Sequence, residues 1–238
     1  MKELTLDFIV HSCQGEKLGT SNPIINKIAT DSRQEMNSHT LFIALKGENH
    51  DGHKFIQDAF NKGACAAIVS DKNTLDIDKL ENKSIIVVDD TLSALQRIAK
   101  SYRQQFAIPI VAITGSVGKT TTKEILSSLL NGTFNTLYTE GNFNNDIGLP
   151  LTIFRMEEYH EAAVVEVAMR ARGEISRLVD IARPSCAIIT NVEPVHLETL
   201  GSIENIAKAK CEVLETLTNE DFAIINGDND LLIEIANT

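Results

Sequence analysis

Short apolar runs alternate along the chain with stretches whose apolar residues recur every three or four positions. The runs Ile24–Thr30, Leu41–Leu45, Ala66–Ser70, Ile85–Val88, Ile110–Thr114, Ala162–Ala168, Cys186–Asn191 and Phe222–Asn226 are mostly β-branched and nearly all apolar. They predict strands covered on both faces, as in a parallel sheet. Between them, Ser93–Phe106 sets Leu95, Ile98, Ala99, Tyr102 and Phe106 on one helical face. Lys54–Lys62, Thr120–Leu130, Glu174–Ala182 and Ile203–Thr216 follow the same logic. This alternation predicts an α/β fold.

A break is expected at Gln104–Pro109, where a long amphipathic helix ends. Pro109 disfavours the helical region for the residue before it, and a buried strand starts at once. Two domains are therefore expected, 1–107 and 108–238, and the length of 238 residues suits two modest ones.

The net charge of −11 argues against nucleic acid or anionic membranes as general partners. Trp is absent and aromatics make up 5%, which leaves little for base stacking. Cys13, Cys65, Cys186 and Cys211 lie far apart with no C-x-x-C pair, so four reduced thiols are expected. Glu3 and Asp7 interrupt what would be the apolar part of a signal peptide, and no apolar run approaches a membrane span. A soluble, cytoplasmic protein is expected.

The strongest chemical signal follows the strand Ile110–Thr114. Thr114-Gly115-Ser116-Val117-Gly118-Lys119-Thr120-Thr121 leads into a helix pattern. Glycines let backbone N–H groups close around phosphate oxygens, and the helix N-terminus adds positive potential. Lys119 can reach β/γ phosphates, and the Thr120 hydroxyl can ligate Mg²⁺. The strict G-x-x-x-x-G-K-[ST] spacing would put glycine at 113, where Ile113 stands. No D-x-x-G or N-K-x-D motif occurs, which counts against a GTPase.

Two further strands end in polar groups. Ala162–Val165 runs into Glu166, and Ala187–Thr190 leads through Asn191 to His196. In a parallel sheet these tips share one edge, which makes Glu166 and His196 metal-ligand candidates. Taken singly, Glu166 reads as a solvent-facing strand end, His196 as a structural or exposed histidine and Lys210 as a solvated helix lysine.

At these residues the sequence resembles the Mur ligase superfamily. Thr114–Glu124 is similar to that family's ATP loop. Glu140-Gly-Asn-Phe-Asn-Asn-Asp-Ile-Gly-Leu-Pro-Leu151 resembles an asparagine-rich loop that marks the branch adding D-alanyl-D-alanine to UDP-N-acetylmuramoyl-tripeptide. His196–Lys210 matches the family's His-to-Lys segment. Thr30-Asp-Ser-Arg33, Leu41–Gly47, Asp51-Gly-His-Lys-Phe55 and Gly63-Ala64 look like its uridine-nucleotide domain.

The resemblance implies a small N-terminal α/β uridine-nucleotide-binding domain followed by a P-loop-type, mostly parallel α/β ATPase domain. It implies an ATP-dependent amide-bond ligase of peptidoglycan precursor synthesis that works through an acyl phosphate, with ATP and Mg²⁺ as cofactors. UDP-N-acetylmuramoyl-tripeptide and D-Ala-D-Ala are the small-molecule partners, and a monomer is expected. Lys119, Glu166, His196 and Lys210 would be catalytic. Thr114, Gly115, Ser116, Val117, Gly118, Lys119, Thr120 and Thr121 would bind ATP. Asp31, Ser32, Arg33, Lys46, Gly47, Asp51, Gly52, His53, Asn142, Asn144 and Asn145 would bind substrate. Thr120, Glu166, His196 and a carbamylated Lys210 would hold metal.

Departures from the family pattern are Ala168 at a usual glycine and Glu193-Pro-Val before His196. The family also has a third, C-terminal domain, and the chain stops at Thr238. A truncated chain without turnover, binding UDP-linked substrate weakly, is therefore expected. The alternatives are a sister ligase for another amino acid, a folate- or cyanophycin-type relative, a P-loop kinase, or a non-catalytic nucleotide-binding module. The asparagine-rich loop argues against the sister ligases and the folate- or cyanophycin-type relatives.

Overall fold

Strands form here where β-branched residues can be covered on both sides. The structure is a computed structural model that describes residues 1–47, 50–71, 83–195 and 197–236. Its elements run β1 (Leu4–Thr5), α1 (Leu6–Cys13), β2 (Glu16–Leu18), β3 (Ile24–Ile25), β4 (Lys27–Ala29), β5 (Thr40–Ile43), α2 (Ile56–Asn61), β6 (Ala66–Val69), β7 (Ser84–Val87) and α3 (Thr91–Arg103). Then follow β8 (Ile110–Thr114), α4 (Lys119–Asn131), β9 (Thr136–Tyr138), α5 (Gly148–Phe154), β10 (Ala162–Glu166), α6 (Glu174–Ala182), β11 (Cys186–Ile189), α7 (Leu197–Leu200), α8 (Ile203–Cys211), β12 (Phe222–Ile225) and α9 (Asp230–Ala236). Two compact units result, Met1–Ser101 and Tyr102–Thr238. Among the described residues no helix is long and apolar enough to cross a membrane.

The first unit holds a five-stranded sheet in the order β2-β7-β6-β5-β4. Only the β2–β7 pair is antiparallel. Phe42, Ala67 and Ile85 of this sheet pack with Ile56, Ala59 and Phe60 of α2 in one buried cluster. The run Ile24–Thr30 is two strands rather than one. Ile24–Ile25 pairs antiparallel with β1, and after Asn26 the chain joins β5 in parallel. A continuous apolar pattern cannot report which sheet each half joins.

The second unit is an all-parallel sheet in the order β12-β11-β8-β10-β9. β8 sits at its centre with Ile110, Ala112 and Ile113 fully buried. Each fully buried isoleucine contributes roughly 1.5–3 kcal/mol. After β8 the chain passes to the far strand β9, returns to β10 beside β8, then crosses to β11 on the other side. The carboxyl ends of β8, β10 and β11 thus meet where strand order reverses, the place where open α/β sheets take ligands. The strand at Phe222–Ile225 is not covered on both faces, since Phe222 and Ile224 are exposed. The helix expected over Ile203–Thr216 ends at Cys211 and tightens into a 3₁₀ turn, Glu212–Leu214.

Candidate nucleotide and cation site

The loop Gly115–Gly118 leaves β8 in a conformation that only glycine tolerates. Gly115 has φ +148°, and a Cβ there would lie 1.9 Å from Thr190 Oγ1. Gly118 has φ +83° and starts α4, whose N-terminus no side chain caps. The loop is braced from the tip of β11. Asn191 Oδ1 accepts from the Ser116 and Val117 amides at 3.1 and 3.0 Å. Thr190 Oγ1 donates to Val117 O at 2.6 Å. The Ser116 hydroxyl donates to Glu193 O and accepts from Glu193 N–H. Lys119 Nζ folds back onto Gly115 O and Ser116 O at 2.8 and 3.2 Å.

Glu166, at the end of β10, is 2% exposed. Its Oε2 accepts from the Thr120 hydroxyl at 2.9 Å, and its Oε1 from Asn144 Nδ2 at 2.7 Å. Among the described residues it has no cationic partner, and a buried carboxylate without one is costly. Neighbouring ligands of octahedral Mg²⁺, each 2.0–2.1 Å from the ion, stand about 2.9 Å apart. The Thr120–Glu166 separation matches that spacing, so these two oxygens fit a magnesium ion. Among the described residues no three His, Cys, Asp or Glu side chains gather to hold a metal. His196, expected as a ligand, lies outside the described residues.

Lys210, on α8, is 3% exposed rather than solvated. Burial pushes its ammonium down to about 8, and the nearby Lys119 charge pushes the same way. The two like charges thus act on one another, which favours a polyanion that can meet both. Glu212, just past the end of α8, reaches α6. Its carboxylate accepts from Gly173 N–H at 2.7 Å and Ser176 N–H at 3.2 Å, capping α6 from outside.

The asparagines divide their work. Asn144 holds Glu166 and takes the Ala168 N–H on its carbonyl at 3.0 Å, so the alanine at the usual glycine position leaves this approach intact. Asn145 Oδ1 accepts from Gly148 N–H at 2.8 Å at the start of α5. Asn142 is exposed, with its carbonyl on Asn144 N–H. Thr121 is exposed and Thr114 is buried.

In the first unit, a cavity of about 370 Å³ is lined by Thr30, Asp31, Ser32, Arg33, His50 and Gly52, with Phe42, Leu45 and Phe55 as its apolar side. The Arg33 guanidinium grips both oxygens of Asp31, at 2.6 Å from Oδ2, and holds that carboxyl down to about 2. Gly52 is needed because a Cβ would stand 2.7 Å from Leu45 O. His53 does not line this cavity. Its Nδ1 lies 2.6 Å from Asp51 Oδ1, and its Nε2 accepts from Ser70 N–H at 2.9 Å. Both ring nitrogens are therefore engaged inside the fold, which assigns the proton to Nδ1. Lys46 and Gly47 form the adjoining turn, with Lys46 bridged to Asp51.

Sequence reasoning missed Lys123, Thr139, Thr190, Asn191 and Glu212. The strand-tip location of Thr190 and Asn191 is the one local signal that could have raised them.

A Mur ligase middle-domain family model matches residues 113–238, and a Mur ligase family catalytic-domain model matches residues 24–103. The UDP-N-acetylmuramoyl-tripeptide–D-alanyl-D-alanine ligase of Synechocystis is 47% identical over 212 residues, covering 89% of this chain and 46% of that protein. The Bacillus subtilis ligase of the same name is 45% identical, over 88% of this chain and 45% of its own length. Among solved structures, MurF from Acinetobacter baumannii superposes with a TM-score of 0.92 at 34% identity, covering all (100%) of this chain and 51% of that one. MurF from Thermotoga maritima, in complex with ADP, gives 0.80 at 34% identity over 89% of this chain and 48% of its own. The chain spans about half the length of the curated relatives it matches.

Proposed function

The chain belongs to the Mur ligase family, and from that membership we propose that it forms the uridine-nucleotide and ATP portion of a ligase joining D-alanyl-D-alanine to UDP-N-acetylmuramoyl-tripeptide. The observation that carries the reading is the buried Glu166 carboxylate meeting the Thr120 hydroxyl at the uncapped N-terminus of α4. The relatives named for this reaction support the choice of substrate.

The reaction brings a substrate carboxylate to the γ-phosphate of ATP. An acyl phosphate and ADP form, the amine then attacks the acyl carbon, and phosphate leaves. Both first reactants are anions, so their repulsion is the barrier the protein must lower. The loop amides and Lys119 bind and orient the β/γ phosphates. Thr120 and Glu166 would hold Mg²⁺, which supplies charge neutralisation there. Asn144 fixes the rotation of the Glu166 carboxylate. Lys210, whose ammonium burial makes easier to deprotonate, would give up one proton to become the free amine, then bond its nitrogen to CO₂ and give up a second, so that a cation becomes an anionic carbamate ligand. The Asp31–Arg33 cavity would receive the uridine diphosphate end, with the Arg33 guanidinium facing the diphosphate charge.

Calorimetry with Mg-ATP on the wild-type chain and on Lys119→Ala tests the nucleotide half. An affinity loss of about tenfold to a hundredfold is expected, the worth of one charge-assisted hydrogen bond. Equal affinities would refute it. For the substrate half, UDP-N-acetylmuramoyl-tripeptide should bind the wild type and lose affinity in Arg33→Ala. Indifference of binding to that change would overturn the uridine-site reading.

A further inference from the structure

Lys123 is fully buried, one turn beyond Lys119 on α4. A lysine in that position is expensive to bury. Its Nζ donates to Thr139 O at 2.7 Å and pairs with the outer carboxylate of Glu124 at 2.8 Å. Neither contact touches the phosphate loop.

The reason for the burial lies in the β9–β10 ladder. The two strands pair in parallel through Thr136, Leu137 and Tyr138, and the Thr139 amide continues the ladder by donating to Val164 O at 3.0 Å. In a regular parallel ladder the next bond would run from Glu166 N–H to the Thr139 carbonyl. Here Lys123 has taken that carbonyl, and the Glu166 N–H goes instead to the Thr139 hydroxyl at 3.0 Å. The exchange ends the β9–β10 ladder at the residue that carries the carboxylate. The chain leaves the sheet after Thr139 and returns at Asn144, whose side chain holds Glu166 Oε1 and whose carbonyl holds Ala168 N–H.

We infer that Lys123 is a positioning residue for the Glu166 cation site: by claiming the Thr139 carbonyl it frees the asparagine-rich loop from β10 and sets Glu166 and Asn144 against Thr120. It acts through Thr139 and touches no ligand. The inference rests on the reading of Thr120 and Glu166 as magnesium ligands and of the glycine loop as a nucleotide site.

The test is calorimetric titration of the chain with ADP, in excess EDTA and in MgCl₂, for wild type, Lys123→Met, Thr139→Val and Thr139→Ser. In the wild type, magnesium should raise ADP affinity. In Lys123→Met and Thr139→Val that increment should shrink on the order of tenfold, the usual effect of losing a residue behind a metal ligand. Affinity in EDTA should stay put, because the loop and Lys119 are untouched. Thr139→Ser keeps the hydroxyl and should retain the increment. If Lys123→Met shows no cooperative melting transition, the Thr139 pair decides. An unchanged increment in Lys123→Met or in Thr139→Val, or a parallel loss in EDTA, would overturn the inference. No magnesium increment in the wild type itself would refute the cation-site reading, and this inference with it.

Discussion

Arg33 sets the charge state of its neighbour two positions back. Its guanidinium binds both Asp31 oxygens, and its amide donates to Oδ1 at 2.9 Å. The carboxyl is therefore held at about 2 in the folded chain, against about 3.9 when unfolded. A depressed carboxylate contributes stability that is present above the unfolded value and is lost as pH falls through the folded one. The window lies between about pH 4 and pH 2, and solvent screening keeps the contribution small because both groups are exposed. Carbon-detected carboxyl titration should place Asp31 near the bottom of that window. In Arg33→Ala the midpoint should return to the ordinary carboxylate range, and a midpoint that does not move would show that Arg33 is not its cause. The same scale shows what a sequence can and cannot declare. Gly115, Gly118, Lys119 and Thr120 announce themselves because their chemistry is contiguous. Asn191 and Thr190 do not, because the amides and carbonyl they hold lie more than seventy positions earlier. His53 misled for a different reason. A histidine beside a glycine turn looks available for a ligand, and only the fold reveals that Ser70 and Asp51 occupy both of its nitrogens.

Elements were legible where burial was two-sided and long. The central strands β8, β10 and β11 carry Val and Ile on both faces, so their pattern needs no partner to be read. β9, Thr136–Tyr138, is too short for any periodicity, and α5 begins at Gly148 with Pro150 inside its first turn, which reads as loop chemistry. Asn145 makes α5 possible by capping it, although the same asparagine in sequence suggests only a turn. α6 offers a comparable case with a remote cap. Gly173, just before its first residue, has no side chain to cap it, and Glu212 reaches across to the Gly173 and Ser176 amides. A carboxylate at that end also meets the positive pole of the helix. Glu212→Ala should therefore cost about 1–2 kcal/mol, seen as a lower urea midpoint at unchanged m-value. Glu212→Gln keeps one acceptor oxygen and loses the charge, so its midpoint should fall between the two. A Gln variant as stable as wild type would show that the charge contributes nothing, and an Ala variant as stable would remove the cap altogether.

For the molecule as a whole, the division between units falls at Ser101 and Tyr102, inside the last turn of α3. The expected break at Gln104–Pro109 came from a proline and the end of an apolar periodicity, which are local signals. What places the boundary earlier is side-chain chemistry that no local signal carries. Tyr102 is buried and donates its hydroxyl to Met156 O at 2.6 Å, within the second unit. Arg103 is 7% exposed and spends its donors on three carbonyls, those of Ala182, Phe106 and Ile108. Burial pushes its guanidinium below the usual value, yet no carboxylate pairs with it among the described residues. Its function is thus to tie the segment that leaves α3 onto the end of α6, beside the start of β8. Arg103→Met fills similar space but leaves all three carbonyls without a donor, at a cost of about 2–3 kcal/mol. Hydrogen exchange read peptide by peptide should show that loss first in α6 and in β8, the strand that delivers the glycine loop. Protection lost from β5 and β6 of the first unit, with β8 unchanged, would mean that Arg103 secures a different part of the chain.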